Sequence, residues 1–155
     1  MKPGIAVGHK AEAEVSVTDD MTVLFEGERI HDLYSTSALV HDMELVARRL
    51  LAEHMEEGEE SMVYHADVSH LSMTLPGMTV KLTATVCEIR DNKIVAEVEA
   101  TNVRGRIARG TITLAVVEKG WLDNRMKEIA IINSLAQAAE AREPQALENE
   151  LSGSR

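Results

Sequence analysis

A change of hydrophobic period constrains this chain more than any other feature. From Thr36 to about Met55, apolar residues fall at helical spacing: Leu39, Met43, Val46 and Leu50, flanked by Ala47 and Leu51. Neither Gly nor Pro interrupts the run, Ser35, Thr36 and Ser37 offer N-caps, and Gly58 lies beyond as a stop. From Ser61 to Glu118 the period falls to two. Val80, Leu82, Ala84 and Val86 share one face while Lys81, Thr83 and Thr85 share the other, and Ile112, Leu114 and Val116 oppose Thr111 and Thr113. One helix with a wide apolar stripe, followed by consecutive half-apolar strands, predicts an α+β fold with the helix packed on one face of an antiparallel sheet.

Four strands are predicted in that second region, at 61–70, 78–89, 93–103 and 106–118. Leu75-Pro76-Gly77 has Pro and Gly where a type II turn needs them, Asp91-Asn92 suits a tight hairpin, and Arg104-Gly105 marks the next reversal. Alternation changes phase near Cys87 and Glu88, which predicts a bulge. Residues 11–17 and 21–25 read as short strands ahead of the helix. After Gly120 a second helical pattern covers 122–141, with Asp123 as its cap, and the polar stretch 142–155 contains Pro144. The expected organisation is one main domain at 1–121, a C-terminal helical extension at 122–141 and a flexible tail at 142–155.

The formal charge of −10 repels phosphate backbones and anionic lipid, and aromatics make up only 3% of the chain, too few for base-stacking platforms. These features argue against nucleic-acid and membrane-surface roles. No signal peptide or spanning segment is readable, so a cytoplasmic protein is expected. The single cysteine, Cys87, is expected to be a small buried hydrophobe. His9, His31, His41, His54 and His65 are scattered without metal-ligand spacing, and nucleophile-elbow, P-loop and dinucleotide signatures are absent. Neither a metal nor a cofactor is expected. Arg104, Arg106 and Arg109 crowd one short stretch, either as a solvated hairpin end or as a local patch for an anionic ligand such as CoA.

Three residues stand out as candidates for chemistry. Position alone makes Thr36 a helix cap, and Glu44 sits four residues before Arg48 in the favourable order for a surface ion pair. Counting by twos puts His70 on one strand face with Tyr64, Ala66 and Val68, the more apolar face, so its ring is expected to look toward the helix as a buried structural histidine or a general base.

The run TSALVHDME from Thr36 to Glu44, with SHLSMTLPGMTV from Ser69 to Val80, resembles the fluoroacetyl-CoA thioesterase family of hotdog-fold proteins. Val7-Gly8, Gly110-Thr111 and the run from Ala115 to Lys119 extend the similarity thinly over residues 3–125. The resemblance implies a hotdog fold and hydrolysis of an acyl-CoA-type thioester without a cofactor. It also implies catalytic roles for Thr36, Glu44 and His70, and a homodimer or larger homo-oligomer with sites between subunits. The segment between Phe25 and Thr36 is shorter than the aromatic-bearing lid of that family, and Val63 stands where the family has glycine, so the chemistry is implied and the acyl selectivity is not. On one straight helix, Thr36 and Glu44 would lie about 12 Å apart. They meet at one ligand only if Thr36 lies outside the regular helix or a subunit boundary crosses the site. The competing readings are a hydratase or dehydratase on the same fold and a non-catalytic binder of acyl thioesters or small acids.

Overall fold

The computed structural model describes residues 1–152. In chain order the elements are β1 (Lys10–Ser16), β2 (Thr22–Phe25), β3 (Glu28–Tyr34), α1 (Thr36–Arg49), β4 (Glu59–His70), β5 (Thr79–Arg90), β6 (Lys93–Asn102), β7 (Gly105–Glu118) and α2 (Lys119–Ser152). Five strands form one sheet in the order β1-β5-β6-β7-β4, and β2 and β3 form a separate hairpin. The α+β expectation holds. Leu39, Met43, Val46 and Ala47 of α1 are buried, as are Val80, Leu82, Ala84 and Val86 of β5 and Ile94, Ala96, Val98 and Ala100 of β6. The alternating residues of these strands supply the floor that the helix stripe requires.

The helix is shorter than its sequence pattern. It ends at Arg49, where Leu50, Leu51 and Ala52 donate to Ala47, Arg48 and Arg49, three residues back. Those tighter turns rotate Leu50 and Leu51 inward together, and both are buried. The hairpin of β2 and β3 extends over a segment whose second half the period analysis leaves without structure. Its reversal is Glu26-Gly27, both at positive φ (51° and 83°), which matches the twist of a tight hairpin. The bulge expected near Cys87 is present as a register shift between Val86 and Glu88. It turns Cys87 outward, so the cysteine is exposed rather than buried, with its Sγ 3.3 Å from the Val95 carbonyl.

Strand β4 departs most from expectation. Tyr64 and His70 are separated by an even number of residues, yet they lie on opposite faces. Lys93 sits 3.7 Å over the Tyr64 ring, on the face opposite buried Ile94, while His70 reaches the helix side. The alternation therefore changes phase within the strand. β4 is also a sheet edge, and it leaves Met62, Val63 and Tyr64 exposed.

The chain divides into a unit of residues 1–117 and a helical unit beginning at Glu118. Helix α2 does not stop at Ala141 but continues in backbone terms to Ser152, through Pro144. The stretch 142–152 thus continues α2 in backbone terms, and the last three residues of the chain lie outside the described ones.

Gly110 marks where β4 crosses closest to β7. A Cβ there would lie 2.2 Å from the Asp67 carbonyl oxygen and 2.9 Å from Val68 Cα, both backbone atoms that a rotamer change cannot relieve. Gly110→Ala is expected to lower stability by about 1–3 kcal/mol, the usual cost of overpacking. Gly58→Ala, where nothing lies within 4 Å, should be close to neutral. Thermal unfolding of the two variants side by side checks this; equal midpoints would contradict the close approach.

Candidate active site

The start of α1 is set by Ser35, not Thr36. Ser35 has extended backbone angles, and its Oγ accepts from the Ala38 N–H at 3.1 Å. Ser35 N in turn donates to the Met21 carbonyl at 2.9 Å, and Tyr34 N donates to the Thr74 carbonyl at the same distance. With the cap supplied by its neighbour, Thr36 is the first helical residue and its hydroxyl is free for another partner. That partner is His70: Thr36 Oγ1 lies 3.0 Å from His70 Nδ1. The end of β4 is fixed by Leu71 N donating to the Ile107 carbonyl at 2.7 Å, which holds the histidine against the helix start.

His70 Nε2 is buried and has no hydrogen-bond partner among the described residues. The ring meets Tyr34 edge to face, with centroids 6.5 Å apart. Tyr34 is itself 1% exposed, and its hydroxyl donates to Asp42, the one buried charged residue among those described. Burial pushes the Tyr34 phenol well above its ordinary value, and the hydrogen bond and negative charge of Asp42 add to the shift. Neither Tyr34 nor Asp42 emerged from the sequence. The signal was available: an Asp on the buried side of an apolar helix stripe requires a donor nearby.

A cleft of about 620 Å³ opens at this point, lined by Tyr34, Ser35, Thr36, Ser37, His70 and Ser72 on its polar side. The backbone N–H groups of Thr36 and Ser37 make no backbone hydrogen bond among the described residues, so the helix start offers donors for an oxyanion beside the Thr36–His70 pair. Among the described residues, no group of three or more His, Cys, Asp or Glu side chains is placed to hold a metal.

The other candidates lie elsewhere. Glu44 is half-buried within α1, eight residues beyond Thr36 on a regular helix, and does not line the cleft. Its expected partner Arg48 pairs instead with Glu60 at 2.9 Å. Thr36 lies inside the helix, so the first of the two ways to unite Thr36 and Glu44 is closed. None of the three arginines reaches the cleft. Arg104 is exposed in the β6–β7 turn, Arg106 pairs with Glu99 at 2.8 Å, and Arg109 lines a shallow recess with Asp67 and Glu97.

Comparison with known proteins places the chain in a family. Residues 17–120 match the family model described as fluoroacetyl-CoA-specific thioesterase, FlK. The chain is 28% identical over 123 residues to the fluoroacetyl-CoA thioesterase of Streptantibioticus cattleyicolor, covering 76% of this chain and 88% of that one. A crystal structure of a Thermus thermophilus hypothetical protein, a thioesterase superfamily member, is 33% identical, covers 90% of this chain and 98% of its own, and superposes with a TM-score of 0.76. A point mutant of FlK in complex with fluoroacetate and CoA is 26% identical, with a TM-score of 0.72, over 76% of this chain and 98% of that one.

The Tyr34–Asp42 pair has a pH signature. A phenol whose folded pKa is raised stabilises the fold below its unfolded value of about 10, and that stability is lost as pH rises beyond it. Tyr34→Phe is expected to cost about 1–3 kcal/mol at neutral pH, because Asp42 stays buried without its donor. Above pH 10 the gap between wild type and variant should close by up to about 1.4 kcal/mol per pH unit. Urea unfolding of both proteins from pH 8 to 11 measures the gap, and a constant gap would count against the buried phenol.

Proposed function

Because the chain belongs to the fluoroacetyl-CoA-specific thioesterase family, we propose that it is an acyl-CoA thioesterase of the hotdog fold whose chemistry centres on Thr36 and His70. The observation that carries this reading is the 3.0 Å contact between Thr36 Oγ1 and His70 Nδ1 at the capped start of α1, inside the cleft. The thioester carbonyl docks against the free N–H groups of the helix start, which stabilise the developing oxyanion. His70 acts as general base through Nδ1, taking a proton from a water held by Thr36, or from the Thr36 hydroxyl with the resulting acyl ester then cleaved by water, and it returns the proton to the CoA thiolate as the C–S bond breaks.

Glu44 is the third member of the proposed site, and it belongs to the site of a second copy. Two arguments support this. It stands about 12 Å along the helix from Thr36, and His70 Nε2 is buried, which leaves no approach for a carboxylate behind the ring. Glu44 of one subunit therefore acts from the carbonyl side of the other subunit's cleft, attacking directly or orienting water. The exposed apolar edge of β4 supports a homodimer, since an uncovered edge strand of this kind is a template for pairing. Arg104, Arg106 and Arg109 are proposed to meet the CoA phosphates; Arg106 does so only by exchanging Glu99 for phosphate. The proposed compartment is the cytoplasm, where CoA thioesters are made and consumed. Among the described residues, no helix is long and apolar enough to cross a membrane.

The site reading is tested by turnover of folded variants. His70→Ala is expected to cost roughly 100- to 10,000-fold, the usual range for general acid–base catalysis. Glu44→Gln should also impair turnover, and the double variant should be hardly worse than the poorer single one. Thr36→Val separates a needed hydroxyl from mere shape. A folded His70→Ala protein that hydrolyses its best thioester at the wild-type rate would falsify this mechanism.

Mixing the two inactive single variants tests the subunit boundary. Half of the randomly mixed dimers are heterodimers, each with one site uniting an intact His70 and an intact Glu44, so activity should return to about a quarter of wild type. No recovery after verified subunit exchange would place Glu44 outside the partner's site.

A further inference from the structure

We propose that the cleft accepts the apolar chain of a medium-length acyl group, longer than the two-carbon acyl units that its named relatives act on. This rests on the thioesterase reading and names the substrate class of the same site. The argument starts from the wall opposite the Thr36–His70 pair. The β2–β3 hairpin contributes Val23, Leu24, Phe25 and Leu33, and the segment after β4 contributes Leu71 and Met73. Four of these are more than half exposed, Phe25 the most at 66%. Large apolar side chains crowding a single concavity beside a reactive pair mark a surface that a ligand completes.

Size and charge narrow the ligand. A two-carbon acyl unit displaces on the order of 60–90 Å³, judged by the ~30 Å³ that one water occupies in the liquid. The cleft holds about 620 Å³, so such a unit would leave most of the apolar wall wet. A straight or branched chain of about six to ten carbons would take roughly 180–300 Å³ of it on the same measure, each methylene adding its own transfer free energy, and leaves the remainder to the thioester and the thiol arm. Among the described residues no Lys or Arg lines the cleft, so the distal carboxylate of a dicarboxylic acyl group would find no fixed cation there. His31 is the one histidine besides His70 on the lining.

The test is a chain-length profile. Acetyl-, fluoroacetyl-, butyryl-, hexanoyl-, octanoyl-, decanoyl- and succinyl-CoA are assayed on the full chain for free CoA, and the affinity of each is measured calorimetrically with the His70→Ala protein. Expected is a rise in kcat/KM of roughly fourfold per methylene up to a plateau, with succinyl-CoA well below hexanoyl-CoA. Phe25→Ala and Met73→Ala should flatten the slope. Hydrolysis of acetyl- or fluoroacetyl-CoA with a flat or falling profile would overturn the acyl-chain assignment and leave the thioesterase reading intact. An absence of turnover combined with affinity that climbs with chain length would do the reverse. If neither turnover nor affinity depends on length, or if the two variants weaken self-association and leave the profile unchanged, the apolar wall belongs to a second copy of the chain and the proposal fails.

Discussion

Everything in the main unit depends on the burial of one helix stripe against one sheet face. Leu39, Met43 and Val46 are fully buried, and cutting Leu39 or Met43 back to alanine would leave a cavity costing about 2–5 kcal/mol. That packing fixes the axis and rotation of α1, and with them the location of its first turn. The first turn is where chemistry becomes possible, because only there does a helix present unpaired N–H groups. The candidate site is therefore a by-product of core packing: the stripe that holds the helix down also decides which side chain of β4 stands opposite Thr36.

Two adjacent residues divide the work at that point. Ser35 caps the helix and is tied to Met21 through its backbone, so it is committed to structure. Thr36, one position on, is released from capping and bonds His70. The buried Tyr34–Asp42 contact lies beside the same turn, and the Tyr34 ring also packs edge to face on His70. One aromatic residue thus links the interior of α1 to the orientation of the candidate base. In a chain with so few aromatics, Tyr34 is the one that the core encloses completely.

The sequence made the sheet and helix legible for a simple reason: period is a local property, and β5, β6 and α1 each bury one regular face. It failed where faces are irregular. The second strand of the hairpin, Glu28 to Tyr34, is exposed for most of its length, so no apolar alternation marks it; only Glu26-Gly27 hints at the reversal. In β4 the phase changes between Tyr64 and His70, which parity counting cannot detect. His70 was nevertheless placed on the helix side, since the count is sound over its last residues, where Val68 and His70 are both partly buried. Cys87 was misjudged because a bulge was foreseen but its outward turn was not. Thr36 and Glu44 came from a resemblance, and local rules assigned both of them other partners.

Charge completes the picture. A body with a net charge of −10 attracts no anion from a distance, and CoA thioesters are anions. On the proposed reading, recognition rests on short-range terms: dipoles at a helix start, Arg106 and Arg109 beside Glu99 and Glu97, and apolar contact. Arginines next to carboxylates contribute little net potential beyond a Debye length of about 8 Å at physiological salt, so in the proposed role they would act at contact and not by steering approach. Among the described residues no Lys or Arg lines the cleft, which on the proposed reading leaves its apolar walls and the donors of the helix start as the main sources of selectivity inside it. Burial of apolar surface is indifferent to salt and to the sign of the protein's field. An enzyme so acidic gains most from a substrate whose reacting end is neutral and greasy and whose charges stay outside, at the rim, where water already screens them.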